Sequence, residues 1–348
     1  MLHRCEYCGG TFDHTNIPNY DPKSVETGLP GIWRYRHTFG LDLRSPMISL
    51  GEGNTPLVWG KVERQKVAYK LEYLNPTGSF KDRGSAVLMS FLKARGIIEA
   101  VEDSSGNAGA SFAAYAARGG LKGRVFIPAS ASGPKRVQIA AYGAEIIAIP
   151  GPRSNAAEAV LHEVKQGTAY ASHAYLPFGL RGYSTIAFEL VEQLGCAPGS
   201  VVAPVGHGSL LLGIGRGFVT LESAGIIDQT PRLFGAQALA CAPMWALSVY
   251  GPSGVTRVEE GDTLAEGIRV RYPVRGDALM EVVLASQGMF LAIGESDILP
   301  GRDQMALQGF YVEPTSAVVW QAVKDLAGKL PEPIVVVLTG SGLKYSGQ

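Results

Sequence analysis

Short strand-like runs alternate with helical runs along most of this chain. From about residue 97 onward, six apolar runs have the character of strands, at residues 97–101, 124–127, 145–149, 201–203, 232–234 and 334–338. Strands that alternate with helices of about ten to fifteen residues form βαβ units. The sequence therefore predicts an α/β fold with mostly parallel sheets flanked by helices.

The composition indicates a large folded core and excludes several classes of protein. Of 348 residues, 44 are glycine and 46% are hydrophobic, and 31 basic residues balance 31 acidic ones. This hydrophobic fraction without a charge excess excludes a disordered chain. The glycines follow no three-residue period, which excludes collagen. Because a zero net charge supplies no basic field, we expect neither nucleic acid nor an anionic membrane as a partner.

The N-terminus and the cysteines indicate the compartment. The first residues lack the apolar stretch of a signal peptide. The longest uncharged run, between Arg232 and Arg257, is broken by prolines and glycines and does not resemble a membrane span. Four cysteines make no disulfide framework. We therefore expect a cytoplasmic protein.

Five glycine-containing segments carry the candidate chemistry, at residues 51–57, 75–84, 104–109, 204–210 and 338–344. In open α/β sheets, ligands bind at the loops that leave the carboxyl ends of strands. The fourth segment has the features of an anion cradle, because Gly206 and Gly208 allow close approach of the backbone and a helix follows with its first N–H groups exposed. Taken alone, it fits an ordinary strand-to-helix turn equally well. It also lacks the dinucleotide-binding spacing, since Leu211 occupies the third glycine position.

Together and in this order, the five segments resemble the fold-type II pyridoxal-phosphate enzymes, most closely the threonine synthase group. The resemblance extends from about Gly31 to Lys344, and segments 75–84 and 338–344 are its most specific parts. It implies pyridoxal 5'-phosphate as the cofactor. It also implies a two-domain fold of the tryptophan synthase β type.

The resemblance further implies roles for individual residues. Lys81 is implied to form the Schiff base with the cofactor and to carry protons, which requires a neutral amine. Asn107 is implied to bind the phenolic oxygen of the cofactor. Thr339 is implied to face the pyridine nitrogen, where a neutral hydroxyl suits elimination and replacement better than transamination. The residues implied to hold the cofactor phosphate are Gly206, His207, Gly208, Ser209 and Leu210. Those implied to receive the substrate carboxylate are Ser104, Ser105 and Gly106.

Three positions depart from the threonine synthase group where a substrate phosphate is expected to bind. Ala108 stands in place of a threonine, His173-Ala174 in place of an asparagine–serine pair, and the arginine position falls at about Gly179. Arg181 and His173 are candidates for an anion site of different geometry. These departures leave the natural substrate open.

The implied domain organisation has three parts. A large cofactor domain comprises residues 21–85 and 184–348, and a small mobile domain comprises residues 86–183. Residues 1–20 are expected to be the remnant of a zinc ribbon. Because tetrahedral zinc needs four ligands and only the pair Cys5 and Cys8 is present, we predict free thiols and no bound metal.

Three functions remain open. The first is elimination and replacement at Cβ or Cγ of an amino acid by a threonine synthase-like carbon–oxygen lyase, with O-phosphohomoserine or a related activated amino acid as substrate. The second is a serine/threonine-type ammonia-lyase (dehydratase) or a β-replacement synthase, such as a cysteate synthase-like enzyme. The third is a protein that binds the cofactor without catalysis. We also expect a small amino-acid substrate and a homodimer.

Overall fold

A computed structural model describes residues 3–131 and 133–345. Its strands are β1 (Leu57–Val62), β2 (Gln65–Lys70), β3 (Glu99–Glu102), β4 (Lys122–Pro128), β5 (Glu145–Ile149), β6 (Ala169–Tyr170), β7 (Ser200–Pro204), β8 (Arg232–Ala238), β9 (Met289–Ile293) and β10 (Ile334–Val337). Its α-helices are α1 (Lys81–Ala94), α2 (Asn107–Gly119), α3 (Pro134–Ala141), α4 (Arg153–Lys165), α5 (Phe178–Leu194), α6 (Ser209–Ser223), α7 (Pro243–Tyr250), α8 (Pro252–Val255), α9 (Gly276–Ala285), α10 (Glu295–Ala306) and α11 (Pro314–Asp325).

The strands form two sheets. One has the strand order β1–β2–β10–β7–β8–β9 and the other has the order β5–β4–β3–β6. Strands β1 and β2 pair antiparallel, with Leu57 opposite Lys70, and the other strand pairs of both sheets are parallel. The predicted α/β class with mostly parallel sheets is therefore confirmed.

The chain divides into two compact units, each of which contains one sheet. The first unit comprises the described residues of Met1–Gly53, Asn75–Gly182 and Lys344–Gln348, and it holds the four-stranded sheet. The second unit comprises Asn54–Leu74 and Tyr183–Leu343 and holds the six-stranded sheet. The functional domains expected at 1–20, 21–85 with 184–348, and 86–183 stay a prediction, as does the mobility of the small one.

The core of the second unit lies between its central strands and helix α11. Ile334, Val336 and Leu338 alternate along β10 and its end, so they face the same side of the sheet. They belong to one buried cluster with Val319 and Val323 of α11. Because β10 is covered on both faces, it is a continuous apolar run, as is typical of a central parallel strand.

Helices α2 and α4 pack against the sheet of the first unit. Val101, Phe126 and Tyr170 form a cluster with Val160 of α4. Helix α2 approaches β4 closely at Gly123, where an added Cβ would lie 3.2 Å from the Phe112 ring. Among the described residues, no helix is both long enough and apolar enough to cross a bilayer.

Candidate active site

The residues singled out in the sequence fall into two groups, one in each unit. The first unit holds Lys81, Ser104, Ser105, Gly106, Asn107, Ala108, His173 and Arg181. The second unit holds Gly206, His207, Gly208, Ser209, Leu210 and Thr339. The roles that sequence resemblance implies for them stay predictions.

Lys81 is the first residue of helix α1 and follows a tight turn. Gly78 has a left-handed backbone with φ of 84°, and its N–H donates to the carbonyl oxygen of Asn75 at 2.8 Å. Lys81 Nζ lies 4.6 Å from the centroid of the Phe80 ring. The positive end of a helix disfavours a second positive charge. This position therefore suits a lysine that has to act as a neutral nucleophile.

Asp82 anchors the turn that carries Lys81. Its carboxylate accepts hydrogen bonds from Thr77 N at 2.7 Å, Thr77 Oγ1 at 2.6 Å and Ser111 Oγ at 2.6 Å. Lys344 Nζ donates to the carbonyl oxygen of Thr77 at 2.7 Å. Burial raises the pKa of Asp82 to about 6, against the opposing effect of these hydrogen bonds. The sequence does not reveal this role, because an acid in the first turn of a helix is ordinary.

The loop from Ser104 to Asn107 connects β3 to α2 and has the geometry of an anion-binding helix start. Gly106 precedes the helix, and its N–H donates to Ser104 Oγ at 3.2 Å. A side chain at Gly109 would overlap the carbonyl oxygen of Ser104, so only glycine lets the helix approach the loop this closely. The first N–H groups of a helix lack intrahelical partners and can bind a carboxylate. Ala108, in this first turn, is buried and brings no hydroxyl.

His173 is bound to an acid that the motif search did not identify. Its Nδ1 lies 2.7 Å from Oε1 of Glu102, the last residue of β3. Glu102 is fully buried, and burial raises its pKa to about 8. Burial and the charge of Lys81 hold the pKa of His173 well below its ordinary value of 6.5. This electrostatic coupling shows that His173 and Glu102 lie near Lys81.

The next residue, Asp103, is held by Tyr170. The Tyr170 hydroxyl donates to Asp103 Oδ1 at 2.7 Å. Burial and the charge of Glu102 both raise the pKa of Asp103. Successive side chains of a strand point to opposite faces, so the end of β3 directs one acid towards His173 and the next towards Tyr170.

Arg181 is largely buried in helix α5 and binds backbone carbonyls of the first unit. Its Nη2 donates to Asn16 O at 2.9 Å and its Nη1 to Thr38 O at 3.3 Å. These contacts hold the N-terminal segment against the helix. Arg181 therefore has a clear packing role in addition to any contact with an anion.

Cys5 and Cys8 lie in a tight turn of the N-terminal segment. Cys5 N donates to Gly10 O at 2.8 Å, and Gly9 N donates to Cys5 O at 2.9 Å. Backbone N–H groups of Cys8 and Tyr7 lower the pKa of the Cys5 thiol. Both thiols are free. Within residues 3–131 and 133–345, no three His, Cys, Asp or Glu side chains are grouped so as to hold a metal ion.

In the second unit, the loop after β7 forms a glycine cradle at the start of α6. Gly208 has φ of 82°, and a Cβ there would overlap Leu279 Cδ2. A Cβ on Gly206 would lie 3.0 Å from Ile268 Cα. The bond from Leu212 N to Gly208 O at 2.9 Å opens the helix, so the N–H groups before it point away from the helix end. Backbone donors without bulky side chains are what a phosphate group requires.

Thr339 follows β10 and is fixed by a serine on helix α11. Ser316 Oγ accepts hydrogen bonds from Thr339 N at 2.9 Å and from Gly340 N at 3.0 Å. The two hydroxyl oxygens of Ser316 and Thr339 lie 2.7 Å apart. Ser316 stands in an apolar helical run, and nothing in its sequence context predicts that it orients a site residue.

Comparison with known proteins gives one consistent family. A model of the family described as "Pyridoxal-phosphate dependent enzyme" matches residues 48–340. The threonine synthase of Methanocaldococcus jannaschii is 32% identical, with 99% of this chain and 93% of that protein aligned. The threonine synthase of a Synechocystis strain is 34% identical over 90% of this chain and 82% of its own length.

Solved structures show the same fold. A threonine deaminase from the organism abbreviated T.th. superposes with a TM-score of 0.71 at 26% identity, covering 84% of this chain and 94% of that one. Maize serine racemase gives a TM-score of 0.71 at 18% identity, covering 82% and 89% of the two chains, and shows the fold alone.

The residues present fit the cofactor of this family. The glycine cradle before α6 has room for a phosphate only because Gly206 and Gly208 carry no side chain. Lys81 offers a primary amine at a helix start, and Thr339 offers a neutral hydroxyl fixed by Ser316. The chain belongs to the pyridoxal-phosphate-dependent enzymes of fold type II, in the threonine synthase-like family, and is a lyase that uses pyridoxal 5'-phosphate.

Proposed function

We propose that this enzyme breaks a carbon–oxygen bond at Cβ or Cγ of an amino acid and adds a nucleophile in its place, as a threonine synthase-like enzyme. The observation that carries the proposal is the similarity to threonine synthases along 99% of the chain. The predicted site residues lie on the loops that this chemistry requires, at the starts of α1, α2 and α6 and after β10.

Binding begins with the two anionic groups. The amides of Ser104, Ser105 and Gly106 bind the substrate carboxylate at the start of α2. The cofactor phosphate is held by the loop Gly206, His207, Gly208, Ser209 and Leu210. Asn107 holds the phenolic oxygen, and the Thr339 hydroxyl faces the pyridine nitrogen.

Lys81 is the group that attaches the cofactor and moves the proton. When bound, pyridoxal phosphate supplies an electron sink for the charge that develops at Cα. The neutral Lys81 amine takes the proton from Cα of the substrate and then holds it at Nζ, from where it can be returned. Because a neutral threonine hydroxyl does not keep the pyridine nitrogen charged, elimination and replacement are favoured over transamination.

A second candidate function has one observation in its favour. Ala108 brings no hydroxyl, His173 is hydrogen-bonded to Glu102, and Arg181 binds two backbone carbonyls. A substrate phosphate needs several charge-assisted donors, and these positions are the ones expected to supply them. A substrate without a phosphate would suit a serine/threonine-type ammonia-lyase or a β-replacement synthase.

One substrate panel separates these functions. Purified holoenzyme is assayed with O-phosphohomoserine, serine, threonine and O-phosphoserine, and phosphate, ammonia and the amino-acid products are measured. Threonine together with phosphate from O-phosphohomoserine supports the first function, and ammonia with a keto acid from serine or threonine supports the second. A coloured protein that turns over none of these amino acids supports the third possibility, binding without catalysis.

Lys81→Ala is the decisive control. We expect it to remove the visible absorption band of the lysine-bound cofactor and to lower turnover by at least about a thousandfold, since covalent attachment and proton transfer are both lost. Lys93→Ala, at the other end of α1, should keep the band and the activity. A wild-type protein that stays colourless with added pyridoxal phosphate would contradict the proposal.

We further propose that the enzyme works in the cytoplasm as a homodimer and without a nucleic-acid partner. Equal numbers of basic and acidic residues support the last point. Light scattering coupled to gel filtration tests the dimer, and a monomer at micromolar concentration would contradict it.

A further inference from the structure

Glu102 and His173 form a buried hydrogen-bonded pair at the carboxyl edge of the four-stranded sheet. Strands β3 and β6 run parallel, with Val101 opposite Tyr170, so the residues after both strands meet at one edge. Glu102 Oε1 lies 2.7 Å from His173 Nδ1. The Glu102 side chain is 1% exposed and that of His173 is 16% exposed. Glu102 Oε2 is buried and has no hydrogen-bond partner among the described residues.

Two cations and one acid act on the pair. Lys81 at the start of α1 and Arg153 at the start of α4 both interact electrostatically with Glu102 and with His173. Asp103 acts on His173 from the loop after β3 and is itself hydrogen-bonded to Tyr170. Glu102 remains fully buried beside these charges, and a buried carboxylate with one empty oxygen is costly when ionised.

The short contact therefore holds one proton between two groups. With Glu102 protonated and His173 neutral, the carboxylic acid donates to Nδ1. With the proton on His173, Nδ1 donates to the carboxylate. The pair is neutral overall in both arrangements, and its titration belongs to the pair. Removal of that proton leaves a net negative charge near Lys81.

We propose that Glu102 and His173 act as one proton-holding pair that keeps the surroundings of Lys81 free of net negative charge, with Glu102 as a positioning residue for the lysine. The inference rests on the proposed role of Lys81. A bare carboxylate close to an amine favours the ammonium form, which is neither a nucleophile nor a base. As long as the pair holds its proton, Lys81 loses its own proton more easily.

The proposal is tested in the cofactor-free protein, without reference to turnover. Nitrogen NMR of ¹⁵N-histidine-labelled protein reports the tautomer of His173, assigned by loss of its signal in His173→Asn. We expect the ring to stay neutral down to pH 5.5 and to change from an Nδ1 acceptor to an Nδ1 donor near pH 8. Glu102→Gln should abolish that change. A His173 that titrates as an imidazolium near pH 6.5 in wild-type protein would overturn the proposal.

Lys81 gives the second readout. Its reactivity towards an acylating reagent is followed against pH by mass spectrometry, with other lysines of the same protein as internal references. Above pH 8, Glu102→Gln should raise the relative rate at Lys81 by about three- to tenfold, equivalent to a pKa lower by about half to one unit. Glu52→Gln is the matched control, because Glu52 is also buried with a raised pKa, in hydrogen bonds to Trp33 and Tyr115.

The outcomes distinguish this inference from the proposed function. Equal Lys81 reactivity in wild type and Glu102→Gln, with both proteins folded by circular dichroism, would refute the pair even if the holoenzyme turns over its substrate. The expected NMR and labelling results in an enzyme that acts on no amino acid would leave the pair intact and refute the function.

Discussion

At the scale of single residues, three hydrogen bonds converge on Asp82, the neighbour of Lys81. An asparagine cannot accept all of them, because its amide nitrogen would face the N–H of Thr77 at the position of Oδ2. We expect Asp82→Asn to lower the free energy of unfolding by about 1–3 kcal/mol and to loosen the turn that carries Lys81. Urea denaturation measures the loss, and Asp42→Asn, at an exposed residue, should change stability little.

Ser316 is the corresponding anchor for Thr339. Ser316→Ala leaves two buried N–H groups, those of Thr339 and Gly340, without their acceptor. We expect a loss of about 1–3 kcal/mol in unfolding free energy and weaker cofactor binding, because the Thr339 hydroxyl is no longer fixed. Fluorescence titration of apoenzyme with pyridoxal phosphate gives the second quantity. Ser316→Thr, which keeps the hydroxyl, should retain most of the affinity, and equal losses in both variants would argue against the hydrogen bonds.

At the scale of elements, the start and the end of α6 separate two costs of replacing glycine. Gly208 and Gly225 both have left-handed backbones, with φ of 82° and 68°. A Cβ at Gly225 meets open space, whereas a Cβ at Gly208 would overlap Leu279. Gly225→Ala should therefore cost about 1–2 kcal/mol from backbone strain alone.

Gly208→Ala should cost more in stability and should also weaken binding of pyridoxal phosphate by at least about tenfold, since the cradle has to shift. Calorimetric unfolding and titration of the apoenzyme measure the two effects. If both alanine variants bound the cofactor as tightly as wild type, the cradle would not be the phosphate site.

The same scale shows how far sequence patterns reach. The strand predicted at 145–149 is β5 in full, because its five residues form one unbroken β-type run. The strand predicted at 97–101 is displaced to Glu99–Glu102, since Ile98 is 77% exposed and the buried end of the strand is an acid. An apolar run located the strand, but a buried glutamate is invisible to a pattern that equates charge with exposure.

Elements with one exposed face were missed for a related reason. The hairpin of β1 and β2 begins at the edge of its sheet, and half of β1 is open to solvent, so it has no continuous apolar run. The candidate loops were easier to find, because glycines at close approaches leave a mark in sequence. The partners that orient the candidate residues, such as Glu102 for His173 and Ser316 for Thr339, come from distant segments and depend on tertiary packing.

At the scale of the whole molecule, the first unit concentrates buried acids whose pKa values are raised. Burial raises the pKa of Glu52 and of Asp103, that of Asp82 to about 6 and that of Glu102 to about 8. For such groups the folded chain binds more protons than the unfolded chain between the two pKa values. Stability therefore falls as pH rises through that interval.

For Asp82, the interval extends from 3.8 to about 6. Its contribution to folding is complete below pH 3.8 and declines by about 3 kcal/mol by pH 6, at about 1.4 kcal/mol per unit. Glu102 cannot be treated in the same way, because His173 titrates in the opposite direction.

The Glu102–His173 pair gives a distinct pH window for stability. Between pH 4.5 and 6.5, the unfolded chain carries one proton on its histidine and the folded pair also carries one, so the pair contributes no slope. Between pH 6.5 and about 8, the unfolded chain has lost that proton while the folded pair retains it. Unfolding free energy should therefore fall by about 2 kcal/mol across this window. Denaturation of wild type and Glu102→Gln at half-unit pH steps measures the difference, which should vanish in the variant; parallel curves from pH 6.5 to 8 would show that Glu102 is ionised throughout.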